Sequence, residues 1–338
     1  MNILIVSQSR VSGTVIQQAL TKVKDLNVTI TFDQEKQLVR KLNSDQNVDL
    51  LVLIKAKNDR TEDQQLHFLH QLFGTPIIVL GSSNSNGFIA PWLKILPDFT
   101  FNPTDSNFAK NMEELLASIK SLTESYHNEA KPLTDGGKVE IQRSVTQNGR
   151  QRFKIIAIGA STGGPQILNY IFRNLPASVP VPVLVVQHMP ANFLPLFIDW
   201  LNKESPLKIV MAKEHQKIEP GFVYFAPGDS HMILEDKERI KLIDAPPMHS
   251  VKPAVSYLFK SVAEIYGDQA IGILLTGMGK DGAQELGLMK NKGALTIVQD
   301  NESCVVFGMP GTALKLGAAQ LVLSPEQIVQ QIKSLFKI

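Results

Sequence analysis

Two α/β domains in tandem are the fold class this sequence predicts: a doubly wound sheet first, then a mostly parallel α/β domain carrying one hairpin. Three observations lead there. Short β-branched runs alternate with amphipathic segments of helix length, the alternation that builds parallel sheets. A polar stretch over residues 123–152, punctuated by Pro132 and Gly136-Gly137, interrupts that alternation once. The chain's 338 residues and 43% hydrophobic content suffice for about two domain cores.

In residues 1–122, apolar runs at 3–6, 28–32, 50–54, 77–80 and 99–101 read as strands. Residues 11–23, 35–43, 63–73 and 108–122 carry apolar side chains at helical spacing. The connection 82–96 holds Gly87 and Pro91, so any helix there is short. Five βα units in about 120 residues give a flavodoxin-like sheet.

In length and element order this region resembles the receiver domain of two-component response regulators. That resemblance implies functional positions which this chain does not fill. Ser7 and Gln8 stand where receivers place two acids for Mg²⁺, and Ile54 stands at the phosphoacceptor position. Gly81 replaces the hydroxyl residue after the fourth strand, and Asn102, before Pro103, replaces the lysine after the fifth. Mg²⁺ needs an oxygen-rich octahedral shell, which these side chains do not supply, and isoleucine has no nucleophilic oxygen. Asp49 lies at the wrong end of its strand and Asp59 beyond it. The expectation is a pseudo-receiver without phosphoacceptor or metal; the duller reading is a flavodoxin-like domain that was never a switch.

Residues 123–152 hold few apolar side chains and cannot offset their own ordering entropy, so they read as a flexible connector. A short strand through Val139 and Ile141 is the weak exception.

From residue 153 the alternation resumes. Strand 155–158 runs into Gly159-Ala160-Ser161-Thr162-Gly163-Gly164 and a helix opened by Pro165. Strand 183–186 ends in Gln187-His188-Met189-Pro190, before a helix at 192–202. Strands at 207–210, 222–225, 232–234 and 240–243 follow, the last two as a hairpin through Asp236. A helix over 254–266 precedes strand 270–275, which ends in Thr276-Gly277-Met278-Gly279-Lys280-Asp281, with a helix starting near Asp281. Strand 295–298, a loop over 304–310 and helix 325–336 complete the chain.

Ser161, His188 and Asp281 each stand after an apolar strand and before a helix. Parallel strands bring such positions to one edge of one sheet, where open α/β folds bind ligands. Ser161 also sits in G-x-S-x-G, the spacing of a nucleophile elbow. A serine hydroxyl is a weak nucleophile. It needs a histidine to take its proton and a carboxylate to orient that histidine. Gly163 and Gly164 let the first helical turn approach a substrate with its N–H groups facing a developing oxyanion, and the loop at Met278 offers a further donor. The chain order Ser, His, Asp differs from that of the α/β-hydrolases.

Residues 153–338 resemble the catalytic domain of CheB-type chemotaxis protein-glutamate methylesterases. The matching stretches are 158–164, 187–190, Ala226-Pro-Gly-Asp-Ser-His-Met232, 275–283 and Ser303-Cys-Val-Val-Phe-Gly-Met-Pro310. The resemblance implies Ser161 as nucleophile, His188 as base and Asp281 as its carboxylate, with Thr162 and the Met278 backbone on the oxyanion side. It also implies the substrate: glutamate methyl esters on chemoreceptor signalling domains, with glutamine deamidation as a related activity. The family signature N-x-H-R-P-S-V-D is altered here to His249-Ser-Val-Lys-Pro-Ala-Val-Ser256. Lysine lacks arginine's bidentate fork, so the change bears on docking or specificity.

Composition excludes other classes. A net charge of +2 gives no reason to expect nucleic acid, and no apolar run reaches the ~18 residues of a membrane span. The N-terminus reads as a strand rather than a signal peptide, which leads to an expected cytoplasmic location. The single cysteine, Cys304, excludes a disulfide framework and reads as a small buried hydrophobe. No cofactor or metal is expected.

Blander readings stand beside each site residue. The Ser161 loop is a phosphate loop only if G-x-G-x-x-G or a Walker lysine is present, and neither is. Asp281 alone suggests a helix N-cap. His231 and Asp229 suggest structural hydrogen bonding, and His67, His70, His127 and His215 surface or packing roles. Two functions remain: a serine hydrolase free of aspartyl-phosphate control, or a catalytically weak scaffold or binding module of a chemosensory array. A pseudo-receiver would act constitutively, by binding other chemosensory proteins, or by recruiting the chain to a receptor array; binding is the reading preferred.

Overall fold

The apolar run that opens the chain becomes β1 (Asn2–Ser7), followed by α1 (Arg10–Leu20), which Ser9 caps through its hydroxyl. The computed structural model describes residues 1–7, 9–31, 48–55, 66, 75–81, 93–96, 99–129 and 152–338. These divide into two compact units, Met1–Thr134 and Asp135–Ile338.

The first unit adds β2 (Asn27–Thr31), β3 (Leu50–Ile54), β4 (Ile77–Leu80), β5 (Leu93–Leu96) and α2 (Phe108–Glu129). Its five strands form a parallel sheet in the order β2-β1-β3-β4-β5, the flavodoxin-like order. Strands β3 and β4 are buried throughout, as the interior of a parallel sheet requires.

Two expectations need correction. The fifth strand is Leu93–Leu96, in register with β4 from Ile77↔Leu93 to Leu80↔Leu96, and not residues 99–101. Side chains hold 99–101 instead: the Phe99 and Phe101 rings pack 5.4 Å apart, and Asn111 on α2 accepts the Thr100 N–H at 2.9 Å. The expected connector 123–152 begins inside α2, which runs on to Glu129. No Gly or Pro stands between Phe108 and Glu129, and polarity alone does not stop a helix. The helix expected at 35–43 lies outside the described residues; of 63–73 only Leu66 is described, and it is buried. Residues 130–151 also lie outside them.

The second unit begins with β6 (Ile155–Ala160), α3 (Gly164–Asn174), β7 (Val183–Gln187) and α4 (Leu194–Glu204). It continues with β8 (Lys208–Met211), β9 (Phe222–Phe225) and the antiparallel hairpin of β10 (His231–Leu234) and β11 (Ile240–Ile243). Then come α5 (Val255–Tyr266), β12 (Ala270–Leu274), α6 (Ala283–Asn291), β13 (Leu295–Gln299), α7 (Met309–Lys315), β14 (Leu321–Leu323) and α8 (Pro325–Phe336). Seven parallel strands run in the order β14-β13-β12-β6-β7-β9-β8.

Helix α7 and strand β14 were not anticipated. Met309-Pro310-Gly311 reads as loop, yet proline suits the first helical turn, and β14 is a three-residue edge strand. The core forms where α5 and α6 lay Leu258, Phe259, Val262 and Leu286 against Ile155, Ala157 and Leu274 of the sheet. Each fully buried Leu, Ile, Val or Phe side chain there contributes roughly 1.5–3 kcal/mol. From β6 the chain builds one side of the sheet through β7, then returns to build the other through β12. The switch point therefore lies between β6 and β12, and Ser161 leaves the sheet there.

Candidate active site

Strands β7, β6 and β12 are neighbours, and Ser161, His188 and Asp281 follow their carboxyl ends. The ladder continues past them: His188 N–H donates to Ala160 O at 2.9 Å and Ser161 N–H to Thr276 O at 3.0 Å. After Ser161 the chain reverses through Gly163, whose φ of +82° suits glycine, and α3 begins. A β-carbon at Gly277 would lie 2.6 Å from Ser161 Cβ, so only glycine lets the β12 loop pass so close to the serine.

His188 Nε2 lies 2.9 Å from Asp281 Oδ2. This leaves Nδ1 as the ring nitrogen for the serine. The Ser161 hydroxyl makes no hydrogen bond to the ring among the described residues; in resting hydrolases that contact is often long and tightens with substrate. Asp281 is 2% exposed. Burial pushes its carboxyl up, but the hydrogen bond and charge of His188, with the hydrogen bond from the Val255 N–H, outweigh burial and hold it below the usual carboxylate range.

The expected N-cap role of Asp281 is met on a different helix. Gly282, at φ +76°, precedes α6, whereas the Asp281 carboxylate accepts the Val255 N–H at 2.6 Å and the Ser256 N–H at 3.1 Å. It thus caps α5, whose own N-cap residue, Ala254, has no side-chain acceptor. The positive end of α5 stabilises the carboxylate in return.

Of the expected oxyanion donors, Gly164 drops out: its N–H closes the turn onto Ser161 O at 2.9 Å. The N–H groups of Thr162, Gly163 and Met278 have no partner among the described residues. Met278 itself is 77% exposed at the tip of its loop.

Three side chains that sequence reasoning missed pin these loops. Gln187 Nε2 donates to both Ser161 O and His188 O at 2.9 Å, tying nucleophile loop to base loop. Thr276 Oγ1 donates to Thr162 O at 2.8 Å and accepts the Val306 N–H at 3.0 Å. Gln299 accepts the Thr276 N–H through Oε1 at 2.9 Å. Gln187 and Thr276 flank motif residues in sequence, a usable signal; Gln299 offers none.

Other expected positions lie outside this constellation. His231 is fully buried, accepts the Ala254 N–H at Nδ1 and donates from Nε2 to Pro246 O. Asp229 only accepts the Ser230 hydroxyl, and His215 pairs with Glu214 and Glu235 on the surface. Cys304 is half-buried, and burial pushes its thiol up to about 12. Residues of the altered signature have structural partners: Lys252 pairs with Asp244, and the Ser256 hydroxyl donates to Glu285. Within the first unit, Ile54 is buried at the end of β3 beside Ser7 and Leu80. Asp49 sits at the opposite end, accepting the Asn2 N–H at 2.7 Å. Gln8, Asp59, His67 and His70 lie outside the described residues, as does the side chain of His127.

A strand-end serine with a histidine paired to a buried carboxylate at the neighbouring strand ends has a counterpart among known families. The model of the CheB methylesterase family matches residues 156–332, just over half of the chain. The chain belongs to the CheB methylesterase family. A protein-glutamate methylesterase/protein-glutamine glutaminase of Geobacter metallireducens is 49% identical over 185 residues, covering 54% of this chain and 53% of the relative. One from Hahella chejuensis is 37% identical over 273 residues, 78% of each chain. The crystal structure of the CheB methylesterase catalytic domain of Thermotoga maritima superposes with a TM-score of 0.52 at 39% identity, covering 55% of this chain and 99% of that one. The match spans about half the length of the first of these relatives. Among the described residues, no helix is long and apolar enough to cross a membrane, and no group of three or more His, Cys, Asp or Glu gathers as for a metal ion.

Proposed function

We propose that this protein hydrolyses glutamate methyl esters on the signalling domains of chemoreceptors, and glutamine side-chain amides by the same acyl chemistry. The observation that carries the reading is the pairing of His188 with buried Asp281 at the strand ends flanking Ser161, in a chain of the CheB methylesterase family. Ser161 Oγ attacks the ester carbonyl while His188, at Nδ1, takes its proton. Asp281, held by two backbone N–H groups, fixes the ring and stabilises the imidazolium. The N–H groups of Thr162, Gly163 and Met278 are the donors on offer to the tetrahedral oxyanion. Methanol leaves with the proton from His188, and the acyl-serine remains. Water, deprotonated by His188, then attacks the acyl-serine and releases glutamate and free Ser161. No cofactor takes part.

The reading extends to control. With Ile54 and Ser7 in place of phosphoacceptor and metal ligand, the first unit is a pseudo-receiver, and the enzyme works in the cytoplasm without aspartyl-phosphate control. The first unit then acts through protein partners of the chemosensory system. The test is methanol release from a methylated receptor fragment, wild type against Ser161→Ala. We expect the variant to lose at least about 10³-fold, as serine hydrolases do without their nucleophile. Equal rates would leave only the scaffold reading.

A further inference from the structure

Among the described residues, one buried carboxylate has no task in the proposed chemistry. Glu285, in the first turn of α6, is 9% exposed, and its Oε2 accepts the Ser256 hydroxyl at 2.6 Å. So short a contact to a carboxylate is a strong, charge-assisted hydrogen bond. Ser256, 1% exposed on the first turn of α5, holds the proposed triad acid and the residue after it. Its N–H donates to Asp281 Oδ1 at 3.1 Å, and its Oγ accepts the N–H of Gly282, the residue after Asp281, at 3.0 Å.

A serine hydroxyl has one proton to place. Pointed at Glu285, it leaves the oxygen's lone pairs to Gly282. Without a charged acceptor there, the proton is free to turn to the Asp281 carboxylate, where it competes with the His188 ring.

We propose that Glu285, acting through Ser256, is a positioning residue for the Asp281–His188 pair, holding the Ser256 hydroxyl on Gly282 and off the catalytic carboxylate. The claim rests on the triad reading of Ser161, His188 and Asp281. The duller alternative is that Glu285 only complements the N-terminus of its own helix.

The full chain decides between them, with Glu285→Gln as the isosteric variant and Ser256→Ala as the second. Two readouts are taken: the low-field imidazole N–H resonance of the resting protein, assigned by its loss in His188→Gln, and kcat and KM for methanol release. We expect Glu285→Gln to move the resonance and to lower kcat by about 10- to 100-fold, the scale of small misplacements in a site, with KM little changed. The double variant should be no worse than Ser256→Ala alone, because both act along one path. An unmoved resonance with unchanged kcat, whatever the loss of thermal stability, overturns the proposal. If Ser256→Ala fails to fold, Glu285→Gln still decides. If Ser161→Ala keeps full activity, the methylesterase reading fails, and the resonance alone decides for or against Glu285.

Discussion

Gly277 shows how closely Ser161, the proposed nucleophile, depends on a neighbour that carries no chemistry. A methyl group there would sit 2.6 Å from Ser161 Cβ, far inside van der Waals contact, so serine or loop must shift. We expect Gly277→Ala to lose about 10²-fold in kcat, the effect of a misplacement near 1 Å, and about 1–3 kcal/mol of stability from overpacking. Rates and urea unfolding on the same preparation check this; full activity would show that the loop gives way instead. At this scale the sequence was informative wherever chemistry follows position. The placement of Ser161, His188 and Asp281 at one sheet edge was legible because each follows an apolar strand, whereas their roles were only implied by the family resemblance. Gly164 was not: whether a glycine N–H faces substrate or closes a turn is decided by one peptide orientation. Gln299 and Glu285 were not legible either, because their partners are Thr276 and Ser256, distant in sequence.

Elements of the second unit were legible in proportion to their burial. Strand β9 and helix α8 fall where their apolar patterns place them, whereas β14, like β5 of the first unit, is an edge strand with a mixed pattern. The hairpin's place was legible but not its fastening. His231, the first residue of β10, joins Pro246 to Ala254 just before α5, and thereby supports the helix turn that holds Asp281. Burial pushes the His231 pKa down; the Pro246 carbonyl opposes this, and the charge of Lys252 reinforces it. Folding therefore favours the neutral ring, so its contribution to stability is whole above the unfolded value, about 6.5, and is lost as pH falls through the lower folded value. Asp281, held below the usual carboxylate range, loses its own contribution only at more acid pH. We expect His231→Gln to be destabilised by about 1–3 kcal/mol at neutral pH. It should also lose less stability than wild type between about pH 7.5 and pH 5. Parallel urea curves at the two pH values measure both; equal losses would show that His231 is not what senses the acid.

Both units are built on a parallel sheet, and the proposed chemistry lies at the strand ends of the second. In the second unit the carboxyl edge carries serine, histidine and aspartate; in the first, the corresponding edge carries Ser7, buried Ile54 and Gly81. An isoleucine offers no oxygen to a phosphoryl group and a neutral serine no charge to Mg²⁺. Acetyl phosphate with Mg²⁺ should therefore yield no acid-labile phosphoprotein and no change in methanol release, checked by acid lability and rate on one sample. On the proposed pseudo-receiver reading, control comes from binding, which sets a second expectation. On a soluble methylated receptor fragment, residues 153–338 alone should match the full chain, because no phosphorylation-gated restraint is there to be removed. On assembled receptors the full chain should be faster, because a unit that binds an array partner raises the local concentration of the enzyme. A faster isolated unit on the soluble fragment would instead show that the first unit inhibits the second, and that release requires a signal other than phosphate.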